Sequence, residues 1–326
     1  MYKVIIYNGE GNGVDVEKAQ LQAEGLSDKF NIIRMDGDLD EEFFAEAADA
    51  DGIIACYTQF DRARLSGLRR CKVIAVHAIG VNNIDLEAAS ELGIAICNTP
   101  TYCIEEVAVH TIAMMLDGAR KLTQFDRKIQ GGAWPSVSGC GRIYRTKGRT
   151  YGLVAFGNIP KRIAQLAQAF GMNVIAYDPF CKPIDFEKTG VRRADTLEEL
   201  FQTSDYISVH TPLLPETKHM IGKAQFDVVR RGAIIVATGR GGVIDELALK
   251  DAINEGKISF AALDVIENEV TLAGSSDSPL MGMDEAIFTP HAAYYSEDSL
   301  IQCRSEAISQ VCDVLERKIR PFAQVN

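Results

Sequence analysis

Short apolar runs rich in β-branched residues alternate with amphipathic stretches along nearly the whole chain. VIIY, NIIRM, GIIACY, VIAVHA and IAICNT precede residue 100, and YGLVAF, NVIAYD, YISVHT, AIIVATG, FAALDVI and AIFTP follow residue 150. An unbroken apolar run bounded by turn residues marks a strand buried on both faces, and helices between such strands imply parallel sheets. Five runs in the first set and six in the second predict an α/β protein with two doubly wound parallel sheets rather than one. At 326 residues the chain also exceeds the size at which a single core stops growing.

Between the two sets, Ile104, Val107, Ala108, Thr111, Ile112, Met115 and Leu116 share one helical face, which predicts a helix from about Thr101 to Lys121 that carries the chain across. The stretch 131–150, GGAWPSVSGCGRIYRTKGRT, has no periodicity and reads as an extended arm or loop. A last helix begins near Ser296, a suitable N-cap, and its Leu300, Ile301, Ile308, Val311, Val314 and Leu315 need a sheet to cover, which we assign to the first domain.

Composition narrows the function classes. A formal charge of -11 counts against nucleic acid, because binding a polyanion takes clustered Lys and Arg. The eight cysteines show no CxxC spacing, so neither a disulfide framework nor a metal site is expected, and they read as thiols in a reducing compartment. MYKVIIYNGE holds too short an apolar stretch for a signal peptide, and no run approaches the roughly 18 apolar residues that span a bilayer. No membrane association and a cytoplasmic location are the expectation.

Residues 150–178, TYGLVAFGNIPKRIAQLAQAFGMNVIAYD, read strand, tight turn, helix, strand, acid, with Asp178 about twenty residues after Gly157. That is the dinucleotide-binding order: the turn and helix N-terminus, Gly157, Asn158 and Ile159, meet a pyrophosphate, and the acid accepts from ribose hydroxyls. The GxGxxG is degraded, however, to Ala155, Gly157 and Pro160. Ala155 costs about 1–2 kcal/mol if its φ must be positive. Pro160 falls in the first helical turn, where its missing N–H had no partner to lose. Taken alone, the segment fits an ordinary βαβ turn equally well.

Four later clusters shift that balance. VHTPLLPETKHMI (209–221), TGRGGVIDE (238–246), ALDVIENE (262–269) and FTPHAAYYSEDS (288–299) fall in order at successive strand ends. Together with GVNNIDLEAASELGIAICNTP and EEVAVHTIAMMLDGARK in the first half, they resemble the D-isomer-specific 2-hydroxyacid dehydrogenases, the group that includes phosphoglycerate dehydrogenase and the C-terminal binding proteins. The resemblance implies a flavodoxin-like substrate domain, 1–100 with 293–326, a Rossmann NAD-binding domain, 101–292, NAD as cofactor, and a homodimer.

It also implies roles. Reducing a 2-oxo acid takes a cation for the carboxylate, a proton donor for the developing alkoxide and an acid that keeps the donor charged. Arg240 matches the cation, His291 the proton donor and Glu269 its partner. Asp264 matches the acid that accepts from the nicotinamide amide; Thr111, His210, Thr211, Pro212, Thr217 and Thr238 match cofactor-pocket positions; and His77, Ala78, Ile79 and Gly80 match the substrate loop, in a cleft at the carboxyl ends of the strands. The residues alone leave alternatives open. His210 and His291 both follow strands next to a proline, Arg240 can be a cation beside Asp245, and Asp264 can simply cap its strand.

Departures from the pattern bear on substrate. Val76-His77-Ala78-Ile79-Gly80-Val81-Asn82 stands where many relatives read Arg-Tyr-Gly-Val-Gly-Tyr-Asp, Cys56-Tyr57-Thr58-Gln59 stands where phosphoglycerate enzymes place arginines, Ala237 replaces an Asn, and Val270 replaces the Pro after the catalytic Glu. The expected substrate is a small 2-oxo acid without a phosphate, its tail meeting Tyr57 and Ile79 with His77 the one nearby group able to charge. The rival reading is an NAD(H)-sensing binding protein, like the C-terminal binding proteins, with little turnover.

Overall fold

The computed structural model describes residues 1–37, 40–269 and 277–326; Val270 lies outside them. The chain divides into two compact units, Met1–Cys103 with Tyr295–Asn326, and Ile104–Tyr294.

In the first unit, β1 (Tyr2–Tyr7), β2 (Phe30–Met35), β3 (Gly52–Ala55), β4 (Val73–Val76) and β5 (Ala95–Cys97) form a parallel sheet in the order β2-β1-β3-β4-β5. This is the flavodoxin-like order. Alternate residues of each apolar run bury on opposite faces. Ile5, Tyr7, Ile53 and Ile74 pack with Phe43, Phe60 and Leu65, while Val4, Ile6, Ile54 and Val73 pack with Ile308, Val311 and Leu315 of the last helix. That helix, Glu297–Cys312, starts where Ser296 accepts from Ser299 N, and it ends in a π-helical turn, Asp313–Arg317. Its Arg304 is buried against Glu17, 2.6 Å away.

The second unit holds a seven-stranded parallel sheet in the order β12-β11-β10-β9-β6-β7-β8. Its strands are β6 (Thr150–Val154), β7 (Asn173–Tyr177), β8 (Arg192–Arg193), β9 (Tyr206–Val209), β10 (Ala233–Ala237), β11 (Ile258–Leu263) and β12 (Ala286–Phe288). Counted from β6, this is the Rossmann order with one strand added beyond β11, and the order reverses between β6 and β9, where such sheets bind ligands. β8 is the strand that the apolar pattern misses, since two exposed arginines make no apolar run. The expected crossing helix spans Ile104–Arg120. Lys121 then adopts a left-handed φ of 63°, and a second helix, Leu122–Gln130, follows it. No helix or strand is assigned over 131–149. Among the described residues, no helix is long and apolar enough to cross a membrane.

Candidate functional site

The turn after β6 is built for close approach. Gly157 is the N-cap of the 12-residue helix Asn158–Ala169, no side chain caps it, and a Cβ placed on Gly157 would meet open space. Its first N–H groups are thereby left for an anion, which the helix dipole also favours. Ala155 has φ 78°, the strained left-handed conformation a glycine would adopt freely. Pro160 is buried in the first turn. Asp178 Oδ2 accepts from Phe156 N at 2.9 Å, while Oδ1 accepts from Phe180 N at 2.9 Å and Cys181 N at 3.1 Å. Asp178 therefore ties the β7 loop to the turn.

Across the reversal point, the loop after β9 carries His210, Thr211 and Pro212. His210 Nε2 lies 2.8 Å from Ser208 Oγ, and Nδ1 lies 3.3 Å from Thr238 Oγ1, which is 2.9 Å from Thr111 Oγ1. Burial pushes the His210 imidazole down to about 3, so it is neutral and packed. Thr217 Oγ1 accepts from Leu214 N and donates to Pro212 O, which closes its own loop. Thr211 Oγ1 differs from these, being buried with no hydrogen-bond partner. An orphaned hydroxyl and an uncapped helix N-terminus beside an open glycine suit a dinucleotide, whose phosphates and hydroxyls would partner them.

Arg240 follows β10. Its Nη1 donates to the neighbouring Gly239 O at 2.9 Å, and it forms no ion pair among the described residues. Asp245 is not its partner, because that carboxylate caps the helix Glu246–Asn254 through Leu247 N and Ala248 N. Gly241 fixes the turn: a Cβ there would lie 1.7 Å from Ile266 O, so only glycine lets the Arg240 turn pack on the loop after β11. In that loop, Glu269 Oε1 accepts from Ile266 N at 3.1 Å and Oε2 lies 2.7 Å from His291 Nδ1. His291 has φ 51° and a side chain 37% exposed, and its Nε2 is the ring nitrogen left for a ligand.

Asp264, matched to the acid that accepts from a nicotinamide amide, is engaged within the chain. Its side chain is wholly buried, and it accepts from Thr289 Oγ1 at 2.5 Å, Ala292 N at 2.8 Å and Ala293 N at 3.0 Å. It clamps the turn that holds His291 in its strained conformation. Thr289, with His110 Nε2 at 3.0 Å, is a member of this cluster that sequence reasoning missed, although its place before the proline of FTPH was a signal.

In the first unit, the loop after β4 is fixed by Thr99 N donating to Ala78 O and Asn98 Nδ2 to Ile79 O, at 3.0 and 2.8 Å. His77, expected as a group able to charge, is instead 1% exposed. Its Nδ1 accepts from Glu10 N at 3.0 Å, and burial pushes the imidazole down to about 3. Arg62, Arg64 and Arg70 pair with Glu91, Asp40 and Asp51. All eight cysteines are free, and among the described residues no group of three or more His, Cys, Asp or Glu is placed to hold a metal ion.

Residues 112–293 match the family model described as D-isomer specific 2-hydroxyacid dehydrogenase, NAD binding domain. The chain belongs to that family. It is 37% identical, over 86% of its length and 52% of the relative's, to the D-3-phosphoglycerate dehydrogenase of Methanocaldococcus jannaschii. It is 32% identical, over 86% of its length and 84% of the relative's, to the glyoxylate reductase of Aeropyrum pernix. The chain thus spans about half the length of the phosphoglycerate enzyme and most of the reductase. Among solved structures, the D-lactate dehydrogenase of Aquifex aeolicus, complexed with NAD and lactic acid, superposes with a TM-score of 0.80 at 28% identity over 96% of both chains.

Proposed function

We propose that the protein interconverts a small, unphosphorylated 2-oxo acid and its D-2-hydroxy acid with NAD(H). The observation that carries this reading is the His291–Glu269 pair at the same C-terminal end of the strands as Arg240, which forms no ion pair among the described residues. NADH, when bound, would supply the hydride for the carbonyl carbon. The N–H groups of Asn158 and Ile159 would hold its pyrophosphate, Asp178 would accept from a ribose hydroxyl, and Thr211 would gain a partner for its orphaned oxygen. Arg240 binds the substrate carboxylate through its planar fork. His291 passes the proton on Nε2 to the carbonyl oxygen as that oxygen becomes the alcohol, and Glu269 supports the ring through Nδ1. The ring regains its proton from solvent.

A dinucleotide sensor would not need the acid–imidazole pair, which favours turnover over that rival. The absence of a phosphate from the substrate is supported by the engagement in surface ion pairs of Arg62, Arg64 and Arg70, three of the four arginines that follow β3, Arg69 forming none among the described residues, and by the lack of any cation over 55–60. Association into a homodimer is supported by Leu122, Ile129, Trp134 and Val137, all apolar and exposed on one continuous segment. The test is NADH consumption with glyoxylate, pyruvate, 2-oxobutyrate, 2-oxoisocaproate and 3-phosphohydroxypyruvate, with chiral analysis of the product. Preference for the phosphorylated compound, or an L product, would overturn the reading.

A further inference from the structure

In the 104–294 unit, a cavity of about 700 Å³ opens at the N-terminal ends of β6, β9, β10 and β11. Arg240, Glu269 and His291 follow the C-terminal ends of the strands, so the cavity lies on the other side of the sheet edge from them, roughly a strand's length or 15 Å away. It does not belong to the site already described.

In a chain whose formal charge is -11, this cavity is lined by Lys121, Arg142, Arg149, Arg230 and Arg231 against the acids Asp205 and Glu285. Those acids do not balance the cations. Asp205 is shared, lying 2.8 Å from Arg149 and 3.3 Å from Arg230. Arg231 meets a backbone carbonyl, Glu255 O, at 2.8 Å, and Arg142 forms no ion pair among the described residues. The helices Ile104–Arg120 and Glu246–Asn254 turn their C-terminal ends toward the cavity, but each contributes only roughly half a negative charge. The lining residues thus keep a positive surplus, which Asp117, whose charge also acts on Lys121, offsets in part.

Two buried polar groups there also have unused capacity. Lys121 is 6% exposed, and its ammonium has a long bond of 3.4 Å to Ser259 O and lies 5.7 Å from the centre of the Phe260 ring. Burial pulls its pKa below the ordinary lysine value. Gln124 is 8% exposed and donates to Asp284 O, but its Oε1 is buried without a partner. An anion would compensate the desolvated ammonium, the Arg142 guanidinium and the unused donors of Arg231. A hydroxyl on the same ligand would satisfy the orphaned amide oxygen.

We propose that this cavity is a binding site for a small, multiply charged oxyanion that also carries a hydroxyl group. Citrate and tricarballylate are suitable probes, because they share three carboxylates and differ in the hydroxyl. Melting temperature of the whole chain is followed against each, at ionic strength matched with NaCl, since a ligand of the folded state raises stability saturably. Citrate should give a saturable rise. Tricarballylate should require roughly 2- to 10-fold more ligand, the usual worth of one hydrogen bond. Arg142→Ala with Arg231→Ala should abolish the citrate response, and Gln124→Leu should erase the difference between the two acids. NADH titration of each variant checks the opposite end of the sheet and should be unchanged. A response no larger than that of NaCl, or one that survives the double arginine variant, overturns the proposal. So does loss of self-association in the double variant without any citrate response, since a second copy of the chain would then be what the cations meet.

Discussion

His291 Nδ1 lies 2.7 Å from Glu269 Oε2, whereas His210 turns both ring nitrogens to hydroxyls, those of Ser208 and Thr238. One histidine has a carboxylate behind it and a free nitrogen in front. The other is a neutral member of a packed polar cluster. The same difference separates a proton donor from a structural imidazole.

Ala155 stands in left-handed backbone at φ 78°. Replacing it by glycine relieves roughly 1–2 kcal/mol of strain and adds about 0.4–1 kcal/mol of unfolded-chain entropy. Ala155→Gly should therefore stabilise the protein by up to about 1.5 kcal/mol in denaturant unfolding. A destabilised variant would mean the methyl group is packed rather than strained.

Glu17 and Arg304 form a buried pair, with side chains 0% and 7% exposed. Removing one partner strands the other charge, at a cost of about 3–5 kcal/mol, while replacing both by apolar groups is often neutral. Glu17→Leu should be strongly destabilising, and adding Arg304→Met should recover most of the loss. Additive losses in the double variant would show that the pair is not a closed unit.

Burial, with the charges of Arg304 and Arg34 nearby, pushes His77 down to about 3 from 6.5. Between those values the unfolded chain binds a proton that the folded chain refuses, so stability falls as the pH falls through the window. From pH 7 to 5 this one group accounts for about 2 kcal/mol of that decline. His77→Gln, which takes up no proton, should flatten the decline by about that amount in urea unfolding at the two pH values. An identical decline in both proteins would mean that the imidazole titrates in the folded state.

Asp178, tied to the turn by Phe156 N, keeps a carboxylate at the end of β7 where a 2′-phosphate would have to sit. Lys161, the nearby cation in the first turn, is paired with Asp185 at 3.1 Å. NADH should be preferred to NADPH in kcat/KM by at least about tenfold, the effect of 1.4 kcal/mol of repulsion. Equal use of both cofactors would contradict the assignment.

Legibility in the sequence followed the physics of each element. Among the described residues, eleven of the twelve strands announce themselves as apolar runs because both faces of each sheet are covered. β8 carries only Arg192 and Arg193, and the helix after Lys121 depends on a left-handed residue that no periodicity marks. The candidate site was legible through ordered motifs, but not the division of labour within it. Asp264 meets donors 25 to 29 residues further along the chain, and His77 is enclosed by the loop after β1; both facts are set by tertiary contacts.

The most direct test compares kcat and NADH affinity for His291→Ala and His210→Gln on the best 2-oxo acid of the panel. His291→Ala should lower kcat by about 10²- to 10⁴-fold with NADH binding nearly intact, and His210→Gln should retain most of its turnover. Abolished turnover in His210→Gln together with an active His291→Ala would contradict the assignment of the proton donor.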